Sequence, residues 1–333
     1  MVATQINLNT LGCSNCSDDC HLAIKNNVIV CHKCHIEWKV GPQNCVNSIQ
    51  NPTLSVLSEI EGMRNENPEK FDTLEKFFYQ EVVKLSTLEE RISCGVLENL
   101  PKNYYLSTKK NFDYAFSRLD PKSNEKVLEI GSEHEYPFLL PFKNVGCECY
   151  ACNLFFTYDK SAPIAQPVLG DMNLLPFRSN QFDYLILSAT SHHSPNLPSL
   201  IAEITRVKKR GGYIFLLNDP TAGFFKHTLD WIGFGSPKGG SRNHEINENE
   251  YSVRQYLTLA KKSNLAVIES FFSVYYDEKL QSKEVTGVRL APLAKFISFF
   301  WRINFFKTFM KRYGLYFGQS FVGLEMNLIL KKQ

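Results

Sequence analysis

The sequence has no run of about 18 uninterrupted apolar residues, so a membrane-spanning helix is not expected. Its first residues, MVATQINLNTLGC, lack a basic segment followed by an apolar stretch, which argues against a secretory signal. An excess of one sign of charge is missing too. The 37 Lys and Arg nearly balance 34 Asp and Glu, and a net charge of +3 is too small to demand a nucleic-acid or membrane partner. Internal repeats and low-complexity segments are also absent. What remains is an ordinary globular composition, 44% hydrophobic over 333 residues, long enough for one large domain plus an appendage.

Cysteine is unevenly placed. Of ten, four form two CxxC units near the start, Cys13-x2-Cys16 and Cys31-x2-Cys34, separated by fourteen residues. Each unit makes a tight knuckle whose two thiolates point at one ion, and two knuckles supply the four soft ligands of a closed tetrahedral Zn2+ site. Val28 to Val30 and Ile36 to Val40 read as short strands, which gives a small zinc ribbon over residues 1–50. A module of that size cannot bury enough apolar surface to fold unaided, so the metal is expected to be structural. Cys20, His21, His32 and His35 are substitute ligands, but the paired spacing favours the four cysteines; four free thiols are the alternative. Paired CxxC units suit a reducing cytoplasm better than a disulfide framework, and cytoplasmic localisation is expected. A third CxxC, Cys149 and Cys152, lies in a strand pattern whose alternation sends the thiols to opposite faces. His134, His227 and His244 have no spacing that makes a metal site.

The stretch from Val168 to Pro220 carries the clearest periodicity. An apolar run ends on Asp171, and a buried-strand run follows from Phe182 to Leu187. A helical segment spans Leu197 to Val207, then Gly211-Gly212 turns into another apolar run, Tyr213 to Leu217. Strand, helix and strand within about fifty residues is a βαβ crossover, and continuous apolar strands belong to a sheet covered on both faces. Ligands of such sheets bind beyond the carboxyl ends of the strands, where Asp171, Ser188 to His193 and Asn218-Asp219 all fall.

Taken in order, Asp171, Leu175-Pro176-Phe177, Phe182-Asp183, His192-His193, Glu203, Arg206-Val207 and Gly211-Gly212 resemble a known family. They match the D-x-x-x-LPF-x-x-x-x-FD segment, histidine pair and E-x-x-RVLKPGG turn of class I S-adenosylmethionine-dependent methyltransferases, in the ubiquinone/menaquinone methyltransferase branch. Lys208 and Arg210 depart from it, standing where the family has Leu and Pro. The resemblance covers about Lys126 to Val274 and the last strand. It implies an α/β, Rossmann-like, seven-stranded, mostly parallel sheet with an antiparallel last strand. The strands expected are Lys126–Gly131, Cys149–Leu154, Pro167–Asp171, Phe182–Leu187, Gly212–Leu217, Leu265–Val274 and Phe321–Leu330. The ribbon resembles the one that opens some methyltransferases, similar to the zinc-ribbon activator subunit of tRNA methyltransferases.

Three segments make up the expected organisation: the ribbon over 1–50, a helical connector over 51–119 and the methyltransferase domain over 120–333. In the connector, Phe71, Leu74, Phe77, Phe78 and Val82 recur at helical spacing. A helical insertion is expected at about 275–319. There Phe296, Phe299, Phe300, Ile303, Phe306 and Met310 share one helical face among Lys295, Arg302, Lys307, Lys311 and Arg312. Such a helix either lies at a bilayer interface, making a peripheral contact at the inner membrane face through 293–317, or forms a lid packed on the core.

The resemblance also implies the site. S-adenosyl-L-methionine would be bound by Glu129, Gly131, Ser132, Asn153, Asp171, Met172 and Ser188. The family's [DE]-x-G-x-G-x-G loop is Glu129-Ile130-Gly131-Ser132-Glu133-His134-Glu135 here, with one glycine of three, and Glu133 and Glu135 stand where the cofactor normally approaches. Asn153 replaces the acid that binds ribose. His192, His193 and Asp219 are the candidate catalytic groups, since histidine titrates near neutrality and can take a proton. The function implied is methyl transfer to a small-molecule or lipid-linked acceptor. A catalytically silent binding scaffold is one alternative. RNA methylation with the ribbon docking RNA is another, on the basic residues Lys33, Lys39, Lys208, Lys209 and Arg210, although near-neutral charge makes a nucleic-acid partner unlikely.

Overall fold

The computed structural model describes residues 6–13, 15–16, 18, 20–41, 44–49, 102–131, 138–154, 164–221, 249, 251–271, 273–274, 300, 303–309 and 325–333. The connector pattern from Phe71 to Val82, Ser132 to Glu135, His227, His244 and most of the 275–319 insertion lie outside the described residues.

Four short strands open the chain: β1 (Leu22–Lys25), β2 (Val28–Cys31), β3 (Glu37–Val40) and β4 (Val46–Asn47). Helix α1 (Lys102–Phe116) follows, then β5 (Lys126–Ile130), α2 (Leu140–Val145), β6 (Glu148–Asn153) and β7 (Gln166–Leu169). Beyond them come β8 (Phe182–Ser188), α3 (Leu197–Val207), β9 (Lys208–Pro220), α4 (Val253–Lys262), β10 (Leu265–Ser270) and β11 (Glu325–Lys332). Local chemistry explains the helices. Asn196 caps α3 by accepting the Ser199 N–H, a proline sits in its first turn, and Leu197, Leu200, Ile201, Ile204 and Val207 bury one face. Ser252 and Gln255 form a reciprocal capping box at the start of α4.

All strands join one sheet in the order β1-β2-β3-β4-β7-β6-β5-β8-β9-β11-β10. The expected seven-strand count is therefore corrected to eleven among the described residues. The stretch from β7 to β10 forms the expected Rossmann-like sheet, parallel from β7 through β9, with β11 antiparallel between β9 and β10. The four extra strands belong to the N-terminal segment, which does not stand apart as an appendage. β4 pairs in parallel with β7 at Val46↔Val168 and Asn47↔Leu169, and the Ser48 N–H and hydroxyl both donate to the Leu169 carbonyl. This pairing satisfies backbone groups on β7 that an edge strand would leave open.

Two apolar layers cover the sheet. α3, α4 and the N-terminal Ile29 and Trp38 pack on Leu128, Tyr150, Cys152, Leu185, Leu187 and Leu216. The other layer sets Phe112 and Ala115 of α1 and Phe142 of α2 against Val127, Cys149, Ala151, Ile186 and Leu217. Cys149 and Cys152 thus face opposite layers, as alternation requires. The region following α3 departs from expectation. β9 begins directly at Lys208, and Gly211-Gly212 lies inside it, with no turn between helix and strand. The pairing jumps from Phe182↔Lys208 to Tyr184↔Tyr213, and the extra residues form a bulge with Gly211 at φ +79°.

That bulge also corrects the basic surface expected from Lys208. Its side chain is completely buried and its Nζ donates to the Phe182 carbonyl at 2.9 Å. Lys209 is paired with Asp183 at 2.7 Å. Two of the five cations that supported an RNA-docking face are thereby turned inward or neutralised.

Candidate active site and cysteine cluster

Because β5 to β9 run parallel, their carboxyl ends share one edge, and the candidate residues gather there. Gly131 follows β5 with φ +75° and donates its N–H to the Cys152 carbonyl. A Cβ at Gly131 would lie 2.3 Å from the Thr190 side chain, so only glycine lets the β5 and β8 loops approach this closely. Asn153 ends β6, and its carbonyl accepts the Gly170 N–H. Asp171 follows β7 and folds into a tight turn, its Oδ1 accepting the Asn173 N–H at 2.8 Å. Met172 packs half-buried against the core. Glu129 is buried in β5, one residue before the strand's end. Ser188 ends β8, and its hydroxyl accepts from Asn218 Nδ2 at 2.8 Å.

The histidines occupy a single turn of helix, Ser191–His193, directly beyond β8. His192 is buried, and its Nδ1 lies 2.9 Å from Asp219 Oδ1, which also accepts the His192 backbone N–H at 3.2 Å. A carboxylate only accepts, so this contact places a proton on Nδ1. The His193 ring lies tilted against that of His192, with ring centroids 4.1 Å apart. Three of the candidate groups are thus brought together, with His192 and Asp219 in direct contact and His193 beside them. The loop is held from several sides. Asn249 donates its N–H to the His192 carbonyl at 3.0 Å, Tyr251 donates to the Ser194 carbonyl, and Ser194 donates to Asn173 Oδ1.

Sequence reasoning missed part of this surround. Ser191 and Tyr256 share a 2.7 Å hydrogen bond beneath the histidines, and burial pushes the Tyr256 phenol far above the usual range. Asn111, Asn218, Ser273 and Asn327 form a buried polar group behind Asp219. Asn218 was visible as a strand-end residue. Asn111 was not, because a polar residue on a helix gives no sign of which layer it faces.

At the other end of the sheet, the Sγ atoms of Cys13, Cys16, Cys31 and Cys34 all lie within 4.8 Å of one another. Cys13 and Cys34 are 3.4 Å apart, and Cys31 and Cys16 are 3.9 Å apart. Ligand bonds of about 2.3 Å in a tetrahedral site call for sulfur separations of just this size, so the four cysteines fit a metal ion. Burial pushes the Cys13 thiol up to about 12, while the Ile36 backbone N–H draws Cys34 down to about 7. Holding all four as thiolates at this spacing would require a cation.

The segment after Asp171 fastens the cluster to the sheet. Arg206 donates to the carbonyls of Leu175 and Phe177 and to Glu203, which in turn accepts the Leu175 N–H. Arg178 reaches the other way, donating to the carbonyls of Leu11 at 3.0 Å and Cys20 at 2.7 Å. Leu11 pairs with Phe177, Gly12 N–H donates to the Pro176 carbonyl, and Asp18 accepts the Ser179 N–H. The Leu-Pro-Phe-Arg turn therefore ties the cysteine-bearing N-terminal segment to the loop between β7 and β8.

Residues 128–216 match the family described as a methyltransferase domain. The match spans well under half of the chain and runs from within β5 into β9. Together with the strand order it makes this sheet a class I S-adenosylmethionine-dependent methyltransferase domain in fold. Among solved structures, phosphoethanolamine N-methyltransferase 2 of Haemonchus contortus, in complex with S-adenosyl-L-methionine, is similar at 16% identity and a TM-score of 0.42. That likeness covers 67% of this chain and 52% of that one, so the chain spans about half the length of the Haemonchus enzyme. Geranyl diphosphate C-methyltransferase of Streptomyces coelicolor is similar at 12% identity and a TM-score of 0.43, covering 68% of this chain and 76% of that one. No acceptor is taken from either. Among curated proteins the sequence has no match. No helix among the described residues is long and apolar enough to cross a membrane.

Proposed function

We propose that the chain is an S-adenosylmethionine-dependent methyltransferase acting on a small-molecule or lipid-linked acceptor, with Cys13, Cys16, Cys31 and Cys34 holding a structural Zn2+. The observation that carries this reading is the buried His192–Asp219 pair, 2.9 Å apart, at the carboxyl edge of a methyltransferase sheet. S-adenosylmethionine would supply the activated methyl group, so the protein's share is alignment and removal of a proton. Glu129, Gly131, Ser132, Asn153, Asp171, Met172 and Ser188 are the residues assigned to hold the cofactor. Asp219 fixes the ring and tautomer of His192, and Nε2 takes the acceptor's proton. His193 is assigned to acceptor binding.

The Leu175-Pro176-Phe177 turn and the Glu203–Arg206 pair favour the quinone-methyltransferase branch within this class. Ile303, Phe305 and Phe309 are exposed within the 293–317 segment, which supports peripheral contact with a membrane and hence an apolar acceptor. The RNA reading loses support with the burial of Lys208.

Isothermal titration with S-adenosylmethionine should give one saturable site per chain. His192→Ala is expected to leave that binding intact while lowering kcat on any accepted substrate by roughly 10²- to 10⁴-fold. Absence of cofactor binding in the native chain would favour a silent scaffold and overturn the enzymatic reading.

A further inference from the structure

Strict alternation along β9 would not bring Asp219 to His192. Ile214 and Leu216 face the layer of α3 and α4, where His192 lies, and Phe215 and Leu217 face the layer of α1. Continuing that pattern would put Asn218 beside His192 and send Asp219 toward α1. The structure does the reverse. Asn218 Oδ1 accepts from Asn111 Nδ2 of α1 at 2.7 Å, and Asp219 meets His192 on the opposite face.

A bulge makes the switch. β9 and β11 pair at Leu216↔Leu328 and again at Asp219↔Met326, so three steps on β9 oppose two on β11. Asn218 takes up the extra step with a left-handed backbone, φ +58°. Asparagine tolerates that conformation better than most residues. Its freed N–H donates to Asn327 Oδ1 at 3.0 Å, and its side-chain Nδ2 donates to Ser188. Asn111 is itself fixed, accepting the Val274 N–H at 2.8 Å. Backbone and side chain of Asn218 are therefore gripped from α1, β8 and β11 together.

We propose that Asn218 is a positioning residue whose left-handed bulge, clamped by Asn111 and Asn327, re-aims Asp219 at His192 and so sets the tautomer of the candidate base. The proposal rests on the functional reading above only for its kinetic consequence. Its structural content is separate.

The test uses full-length protein with 15N-labelled histidine, in which the ring-nitrogen shifts of His192 report where the proton sits. Native protein should show a single tautomer with the proton on Nδ1. Asn218→Gly keeps the left-handed backbone accessible and should retain that signature. Asn218→Val disfavours the backbone conformation and should give mixed tautomers. Its kcat should fall on the order of a hundredfold and its pH–rate profile should shift, while the KM for cofactor stays near native. A native His192 signature in N218V overturns the proposal, as does its loss in N218G. If N218V does not fold, N218A is read in its place, with mixed tautomers expected and a native signature again overturning the idea. A native chain that shows the Nδ1 tautomer yet transfers no methyl group would sink the functional reading alone.

Discussion

Cys31→Ser is expected to release the metal and to destabilise far more of the chain than its first fifty residues. Structural zinc supplies on the order of 10 kcal/mol to a four-thiolate module, comparable with the whole stability of a typical domain. Here the module is built into the sheet. β4 is bonded along β7, and Trp38 and Ile29 sit in the same core as Leu128 and Leu187. Loss of the ion therefore exposes an edge of the methyltransferase sheet as well as the ribbon strands. It also frees the turn that Arg178 ties to Leu11 and Cys20, in the same β7–β8 loop as Asp171 and Met172. The expected outcome is loss of about one metal ion per chain, a melting transition lowered by tens of degrees, and cofactor affinity weakened on the order of tenfold. Metal analysis, calorimetry and isothermal titration measure the three in turn. Cys147→Ser is the control, a buried thiol outside the cluster that donates to the Lys122 carbonyl. If C31S keeps its metal content and its melting temperature, the cluster is not a structural site. Arg178→Ala separates the two effects: it should weaken cofactor binding while the metal stays.

The domain's sheet was legible because its strands are apolar on both faces and its helix carries an unambiguous stripe. Leu197, Leu200, Ile201, Ile204 and Val207 announce their layer by spacing alone. The four cysteines were legible for a different reason, since the CxxC spacing constrains geometry locally. Contacts between distant segments left no such trace. Nothing in Val46-Asn47 marks a two-residue strand that completes a parallel sheet, and nothing in Arg178 shows that its guanidinium reaches back to Leu11. The candidate site was half readable. His192 and Asp219 could each be placed at the carboxyl edge, but their meeting depends on one extra residue in β9. Periodicity cannot report a bulge, because the bulge is the place where periodicity fails. Asn111 and Lys208 were obscured in the same way, one resembling a solvated helix position and the other a surface cation.

Lys208 gives the second large prediction, and its sign follows from burial. The amine folds back over Gly212, where a Cβ would come within 1.3 Å of Nζ, and no solvent reaches it. Burial lowers its pKa from 10.5 to about 7, against a weaker pull from Asp183 in the opposite direction. Between about pH 7 and pH 10 the unfolded chain thus binds one more proton at this position than the folded chain. Stability must then rise with pH, by up to about 1.4 kcal/mol per unit, and below pH 7 the full cost of burying a charge is present. Cys149, whose thiol burial pushes up to about 12, acts oppositely once unfolded thiols ionise. The window before that opposition sets in is therefore pH 7 to 8.5. Over it the urea midpoint of the native chain should climb, equivalent to about 2 kcal/mol. Lys208→Met, close in volume and uncharged, should climb less steeply across the same window, since the contribution of Cys34 is common to both proteins. It should also be more stable than native at pH 7, since the amine's desolvation outweighs the single bond to the Phe182 carbonyl, about 1–3 kcal/mol. Parallel pH profiles for the two proteins would mean that the ammonium stays charged in the fold. Lys208 would then reach solvent or a counter-charge, contrary to its sealed place behind β8.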